Sequence, residues 1–109
     1  MRTENKIKTY LGFAKKSGAL KCGTDAVSAL KTARLLIVCR SASENARKTA
    51  ETLKRKFGCK VLETVTDTVE ELIGKENCKL IAVTNADLAS AIIENSARDF
   101  KEFFNDHRG

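Results

Sequence analysis

The sequence predicts an α/β protein, a three-layer α/β/α sandwich in which a mostly parallel sheet lies between two layers of helices. Three observations carry that prediction. Helical and extended segments alternate along the 109 residues, and strands that alternate with helices pair in parallel with helices on both faces. Two extended segments, Leu35-Leu36-Ile37-Val38-Cys39 and Lys79-Leu80-Ile81-Ala82-Val83-Thr84, are almost continuously apolar, as central strands covered on both faces are. No proline, linker-like stretch or fixed-period repeat interrupts the chain. Residues 1–109 therefore read as one domain of ordinary size.

Each element has its own signal. Ile7, Tyr10, Leu11 and Ala14 recur at i, i+3, i+4 and i+7, the spacing of a buried helical stripe. Lys6, Lys8, Lys15 and Lys16 fall largely outside it. Ser17-Gly18 ends this helix, because glycine takes the left-handed conformation a C-cap favours. A short extended piece, Ala19 to Cys22, leads to Gly23. Thr24 is placed to cap a helix from Asp25 to about Lys31 with Val27 and Leu30 inward.

After the Leu35 strand, Ser41 and Glu44 have the spacing of a capping box, and Ser43 is a rival cap. Ala46, Ala50, Leu53 and Phe57 form the inward stripe of the helix that follows, while Arg47, Lys48, Lys54 and Arg55 lie off it. Gly58 stops that helix. Cys59 to Glu63 reads as a strand, and Thr68 with Glu71 as a capping box for a short helix. Beyond the Lys79 strand, Asn85 caps a final helix that packs Leu88, Ile92 and then Phe100, Phe103 and Phe104.

The charge pattern narrows the function. The formal net charge is +6, with 15 Lys/Arg against 4 Asp/Glu in residues 1–60 and 5 against 10 in residues 61–109. Such polarity suits a binder of polyanions more than an enzyme acting on neutral molecules. No apolar run reaches the roughly 18 residues of a membrane helix, and MRTENKIKTY lacks the apolar core of a secretory signal. A cytoplasmic protein with no membrane partner is expected.

Catalysis finds little support. The sole histidine is His107, near the C-terminus, and no GxxxxGK[ST] phosphate loop occurs. Cys22, Cys39, Cys59 and Cys78 are spaced by 17, 20 and 19 residues, without the CxxC pairs of zinc or redox motifs. The expectation is no enzyme, no cofactor, no metal and no small-molecule substrate. Phe100, Phe103 and Phe104 lie among charges in the acidic last third. They either close the core or dock a partner, a second copy in weak self-association included.

Three loops hold the candidate site: Lys21–Asp25, Arg40–Asn45 and Thr84–Asp87. Each is rich in small or hydroxyl residues and leads into a helix, whose first N–H groups favour an anion such as phosphate. Gly23 has no side chain to block a nucleic-acid backbone. If the loops open on one edge, Lys15, Lys16, Lys21, Lys31, Arg40 and Lys48 are placed to neutralise phosphates. Gly23, Thr24, Asp25, Ser28, Ser41, Ser43, Asn45, Thr84 and Asn85 are then placed to fit or read the polynucleotide.

The series LGFAKKSGALKCGTDAV, ARLLIVCRSASENARK, TVEELIGK and LIAVTNADLA, over roughly residues 5 to 93, resembles the ribosomal-protein superfamily that binds kink-turn RNA. This is the superfamily of large-subunit proteins L-seven-Ae and L-thirty-e, in its small bacterial branch. The resemblance implies a mixed four-stranded sheet sandwiched by helices, and RNA gripped by the loop around Gly23. In the family that loop runs Gly, any residue, Asn or Lys, Glu or Gln, two residues, then Lys. Gly23 matches; the later positions fall on Asp25, Ala26 and Ala29, or one residue earlier on Thr24, Asp25 and Ser28. The implied function is non-catalytic recognition of structured, kink-turn-like or ribosomal RNA. The alternative is a protein-interaction module of the same fold without specific RNA recognition.

Overall fold

The computed structural model describes residues 6–65, 69–74, 78–95 and 100–103. Its elements run α1 (Lys6–Lys16), β1 (Leu20–Cys22), α2 (Thr24–Ser28), β2 (Leu35–Val38), α3 (Glu44–Phe57), β3 (Lys60–Thr64), α4 (Val69–Ile73), β4 (Leu80–Val83), α5 (Ala86–Glu94) and β5 (Phe100–Glu102). The expected alternation is present and gains a fifth strand. The expected cap Thr68, Phe104 and His107 lie outside the described residues.

The five strands form one sheet in the order β1-β4-β2-β3-β5. Only β2 and β3 pair in parallel; β1 with β4, β4 with β2 and β3 with β5 are antiparallel. The expected mostly parallel, four-stranded sheet is thus corrected to a five-stranded and mostly antiparallel one. The physical reason is that a continuous apolar run reports burial on both faces and says nothing of direction. Leu80–Val83 is fully buried, as expected, yet it inserts between β1 and β2 running against both.

Side-chain alternation along the central strands feeds two cores. Leu35, Ile37, Ile81 and Val83 meet Ile7, Leu11 and Ala14 of α1, Val69 and Leu72 of α4, and Ala89 and Ile92 of α5. On the other face Leu36, Val38, Leu80 and Ala82 meet Val27 of α2 and Ala50 and Leu53 of α3. Helices therefore cover both faces. Each fully buried valine, leucine or isoleucine among them contributes about 1.5–3 kcal/mol. No helix among the described residues is long and apolar enough to cross a membrane.

The fifth strand replaces the tail of the expected final helix. Asn95 ends α5, its Nδ2 folding back onto the Ala91 carbonyl at 2.8 Å, and Phe100–Glu102 then pairs with β3. Phe100 joins the α1 side of the sheet and Phe103 the α3 side. A spacing of three puts two residues on one face of a helix but on opposite faces of a strand, so the Phe100–Phe103 interval fits both readings. Both rings are buried, which closes the core and removes them as a docking surface.

Local signals did place the ends of α3. Ser43, not Ser41, is the N-cap, its side chain accepting from the Ala46 N–H at 3.1 Å. Gly58 (φ 62°) closes the helix in the left-handed conformation, its N–H on the Lys54 carbonyl. Ser43→Ala is expected to cost about 1 kcal/mol in urea unfolding. Ser41→Ala leaves the cap intact and removes only the hydroxyl's contacts with Cys39 and Lys79.

Candidate nucleic-acid interface

The topology decides which loops share an edge. At the carboxyl end of β1, the Gly23 N–H donates to the Leu80 carbonyl at 2.8 Å. At the carboxyl end of β2, the Cys39 N–H donates to the Lys79 carbonyl at 2.8 Å. The Arg40 N–H then donates to Thr64 Oγ1 at 2.9 Å, which ties in the end of β3. Gly23, Lys79–Leu80, Cys39–Ser41 and Thr64–Val65 thus lie in a row along one edge. Three inter-strand steps make that row about 14 Å wide.

Thr84 and Asn85 are at the other end. Since β4 runs against β1, the Thr84 N–H donates to the Ala19 carbonyl at 2.9 Å, before β1 begins. Four residue-to-residue steps of strand separate Leu80 from Thr84, about 13 Å. Asn85 serves there as the N-cap of α5, accepting from the Leu88 N–H at 2.9 Å. The expectation that three loops converge is corrected to two, with the end of β3 as the third member.

The cations are redistributed as well. Lys15 and Lys16 close α1, which packs in the layer with α4 and α5 and leads into Ala19. Lys15 Nζ donates to the Ile73 carbonyl at 3.1 Å. Both lysines are therefore away from Gly23, on the opposite layer and near the opposite edge. Lys21 is exposed in the middle of the edge strand, paired with Ala82. Lys31 is exposed on the connection back to β2, while Ser28 and Lys48 line a groove between α2 and α3.

What remains at the edge is Gly23, Thr24, Asp25, Arg40, Ser41, Ser43 and, in the first turn of α3, Asn45. Thr24 is the first helical residue of α2 and not its cap, because Gly23 occupies the cap position without a side-chain hydrogen bond. Gly23 sits at φ 91°, ψ 151°, a region that essentially only glycine occupies. A Cβ added there would meet no atom within 4 Å. Glycine is therefore required by the backbone, and the space above it is open.

Beside this gap a chain of side chains braces the edge. Cys39 Sγ lies 3.1 Å from Ser41 Oγ; Lys79 Nζ donates to Ser41 Oγ and to Glu70 Oε1, each at 3.0 Å. Burial pushes the Cys39 thiol up, but hydrogen bonds from Ser41 and the Lys79 cation outweigh it and hold the thiol below its ordinary range. The Glu70 carboxylate holds the Lys79 ammonium above its ordinary range. These bonds join the end of β2 and the start of α4 to the start of β4.

Two arginines divide the remaining work. Arg47 donates to the Arg40 carbonyl at 3.2 Å and to Glu63 Oε2 at 2.6 Å, with its guanidinium 5.9 Å from the Phe103 ring centre. It is a brace. Arg40 is exposed, and among the described residues its guanidinium has no partner. Arg40 is the cation this edge offers to a ligand.

Sequence reasoning missed Val65, Lys79 and Arg47. Val65 follows β3 and is 44% exposed at the rim, an apolar side chain facing solvent where most such groups are buried. Its neighbours in the chain gave no sign of this, since exposure depends on where β3 ends in the sheet. Arg47 carried a signal: at the fourth position from the Ser43 cap it follows the helix start by one turn, within reach of the preceding loop.

Beneath the Gly23 turn lies Cys78, buried, its Sγ 3.7 Å from the Leu80 carbonyl that also receives the Gly23 N–H. Burial, with the neighbouring Cys22 thiol, pushes Cys78 up to about 12 from 9.0. The native thiol keeps its proton where the unfolded one loses it, so the unfolded state binds fewer protons in that window. Stability attached to Cys78 is full below 9.0 and is lost as pH rises toward about 12. Urea midpoints measured from pH 8 to 10 under reducing conditions are expected to fall, and to fall less in Cys78→Ala.

Among the described residues no three His, Cys, Asp or Glu side chains are grouped to hold a metal ion. Compared with known proteins, the chain matches no family model and no curated protein.

Proposed function

We infer that this protein is a non-catalytic RNA-binding protein that recognises sharply bent, kink-turn-like RNA through the edge formed by the ends of β1, β2 and β3. The observation that carries the reading is the place of Gly23 on the same edge as Arg40, with a backbone (φ 91°, ψ 151°) that calls for glycine. The open space beside it, where an added side-chain carbon would meet nothing within 4 Å beyond its chain neighbours, is shared with Gly12, Gly18, Gly58 and Gly74. A polynucleotide backbone can approach the protein's own backbone there without a steric barrier. Arg40 supplies an always-charged guanidinium on the same edge, without a partner among the described residues, and Val65 supplies apolar surface for a nucleobase face. The excess of Lys/Arg in residues 1–60 adds a long-range attraction for a polyanion. The family resemblance, structured ribosomal RNA included, points the same way.

The test is fluorescence anisotropy at physiological salt with three probes: a kink-turn RNA, a straight RNA duplex and a DNA duplex. The kinked RNA is expected to bind at least about tenfold tighter, a difference of about 1.4 kcal/mol. Arg40→Ala is expected to weaken binding and to flatten the log–log salt dependence by about 0.9, one phosphate's share. Equal affinity for all three probes overturns the reading.

A further inference from the structure

We propose that the groove between α2 and α3 is a track for the sugar–phosphate backbone of a single-stranded RNA segment leaving the bend. The inference rests on the RNA-binding reading above. The groove encloses about 400 Å³, the lower end of the range for ligand sites. Its α3 wall is Asn45, Lys48, Thr49, Thr52, Leu53 and Lys56, at i, i+3, i+4, i+7, i+8 and i+11. That is one continuous helical stripe. It runs beside the buried stripe of Ala46, Ala50 and Leu53, sharing only Leu53 with it. One stripe holds the helix on the sheet; the other presents ammonium, hydroxyl and amide groups.

The chemistry of this stripe fits a nucleic-acid backbone more than bases. Lys48 and Lys56 are exposed cations eight residues apart, about 12 Å along the axis, and Thr49 and Thr52 stand between them with hydroxyls that donate to phosphate oxygens. Lys56 Nζ already donates to the Ser28 carbonyl at 3.1 Å, fixing it across the groove. Among the described residues no aromatic side chain lines the groove, so it lacks the stacking platform that base readers use. Contacts of this kind position a strand without reading its sequence.

The placement follows from the sheet. Because β1 and β2 both run against β4, they point the same way, and the helices after them both start at the Gly23–Arg40 edge. The groove between those helices therefore begins at the proposed bend. A strand emerging there meets Asn45 first and Lys56 last.

The experiment compares the kink-turn RNA with the same RNA carrying ten uridines at its 3′ or 5′ end, on the full chain. The quantity read is the ratio of the two dissociation constants. With the unaltered protein, one of the two extensions is expected to tighten binding about fivefold and steepen the salt slope by about 1.4, two single-strand phosphates. In Lys48→Ala/Lys56→Ala, checked for unaltered circular dichroism, the ratio is expected to fall to about one. Lys48→Arg/Lys56→Arg, which keeps both charges, is expected to retain the gain. If the kinked RNA binds but neither extension helps, or the gain survives in the alanine variant, the groove assignment falls alone. If neither RNA binds, the RNA-binding reading falls with it. A hexaglutamate peptide that displaces the extension as well as hexauridylate does makes the groove a carboxylate site and overturns the proposal.

Discussion

Arg47→Ala is expected to lower the unfolding free energy by about 3 kcal/mol, the largest effect of any cation among the described residues. The side chain of Glu63 is 8% exposed and that of Arg47 25%. Removing the guanidinium leaves a carboxylate in the protein interior without its counter-ion, which costs about 3–5 kcal/mol when the pair is fully buried. The partial exposure of Arg47 argues for the lower end. The same substitution frees the Arg40 carbonyl and the Phe103 ring, so the loop that carries Arg40 keeps its bond to Thr64 and loses one of its two anchors at Arg40. Urea unfolding measures the loss, and a cycle with Glu63→Leu isolates the pair. Arg47→Met/Glu63→Leu is expected to recover most of the stability, because the uncompensated charge disappears with its partner. A loss under about 0.5 kcal/mol, within the range about the median of surface pairs, would sink the claim that Arg47 is a brace.

Gly23→Ala is expected to act on fold and function together. At φ 91° and ψ 151° an L-residue is held in a sparsely populated region at a cost of about 1–3 kcal/mol. No atom stands in the way of the new methyl group, so the penalty is conformational and not a clash. The methyl group also occupies the space assigned to RNA. The kinked RNA is therefore expected to lose at least about tenfold in affinity, about 1.4 kcal/mol, at temperatures where circular dichroism shows the variant folded. The straight duplex is expected to change little, which reduces the preference for the bend. Gly12→Ala, on α1 and away from this edge, where an added side-chain carbon also meets no atom within 4 Å, serves as the control for the same small change. An unaltered preference in folded Gly23→Ala would show that the bend is read elsewhere.

Hydrogen bonds and periodicity that act within one helical turn are written in the sequence. Gly58 and Asn85 mark helix ends and the structure uses both as caps, while at the start of α3 it uses the rival Ser43 and not Ser41 of the capping box. The stripes of α1 and α3 bury as their spacing requires. The apolar runs of β2 and β4 are covered on both faces. The gap at Gly23 was legible too, because its reason is local: one residue's backbone conformation and the lack of a Cβ.

Pairing across the sheet was not legible. The hydrogen bond from Gly23 to Leu80 and that from Thr84 to Ala19 join residues far apart in the chain, and nothing near either end specifies the partner. The direction of β4 alone sends Thr84 and Asn85 to the far edge and brings Lys79 to the near one. It also leaves the helix after β1 beside the helix after β2, with the polar stripe of α3 facing the groove between them. The sequence by itself determined α1 to α4, β1 to β4, the start of α5 and the faces these bury, since those rest on contacts within a few residues. The strand β5 was not legible, because Phe100–Glu102 becomes a strand only by pairing with β3. Tertiary structure alone decided which loops share an edge and which cations stand there, because strand order and direction come from pairings that only the folded chain makes.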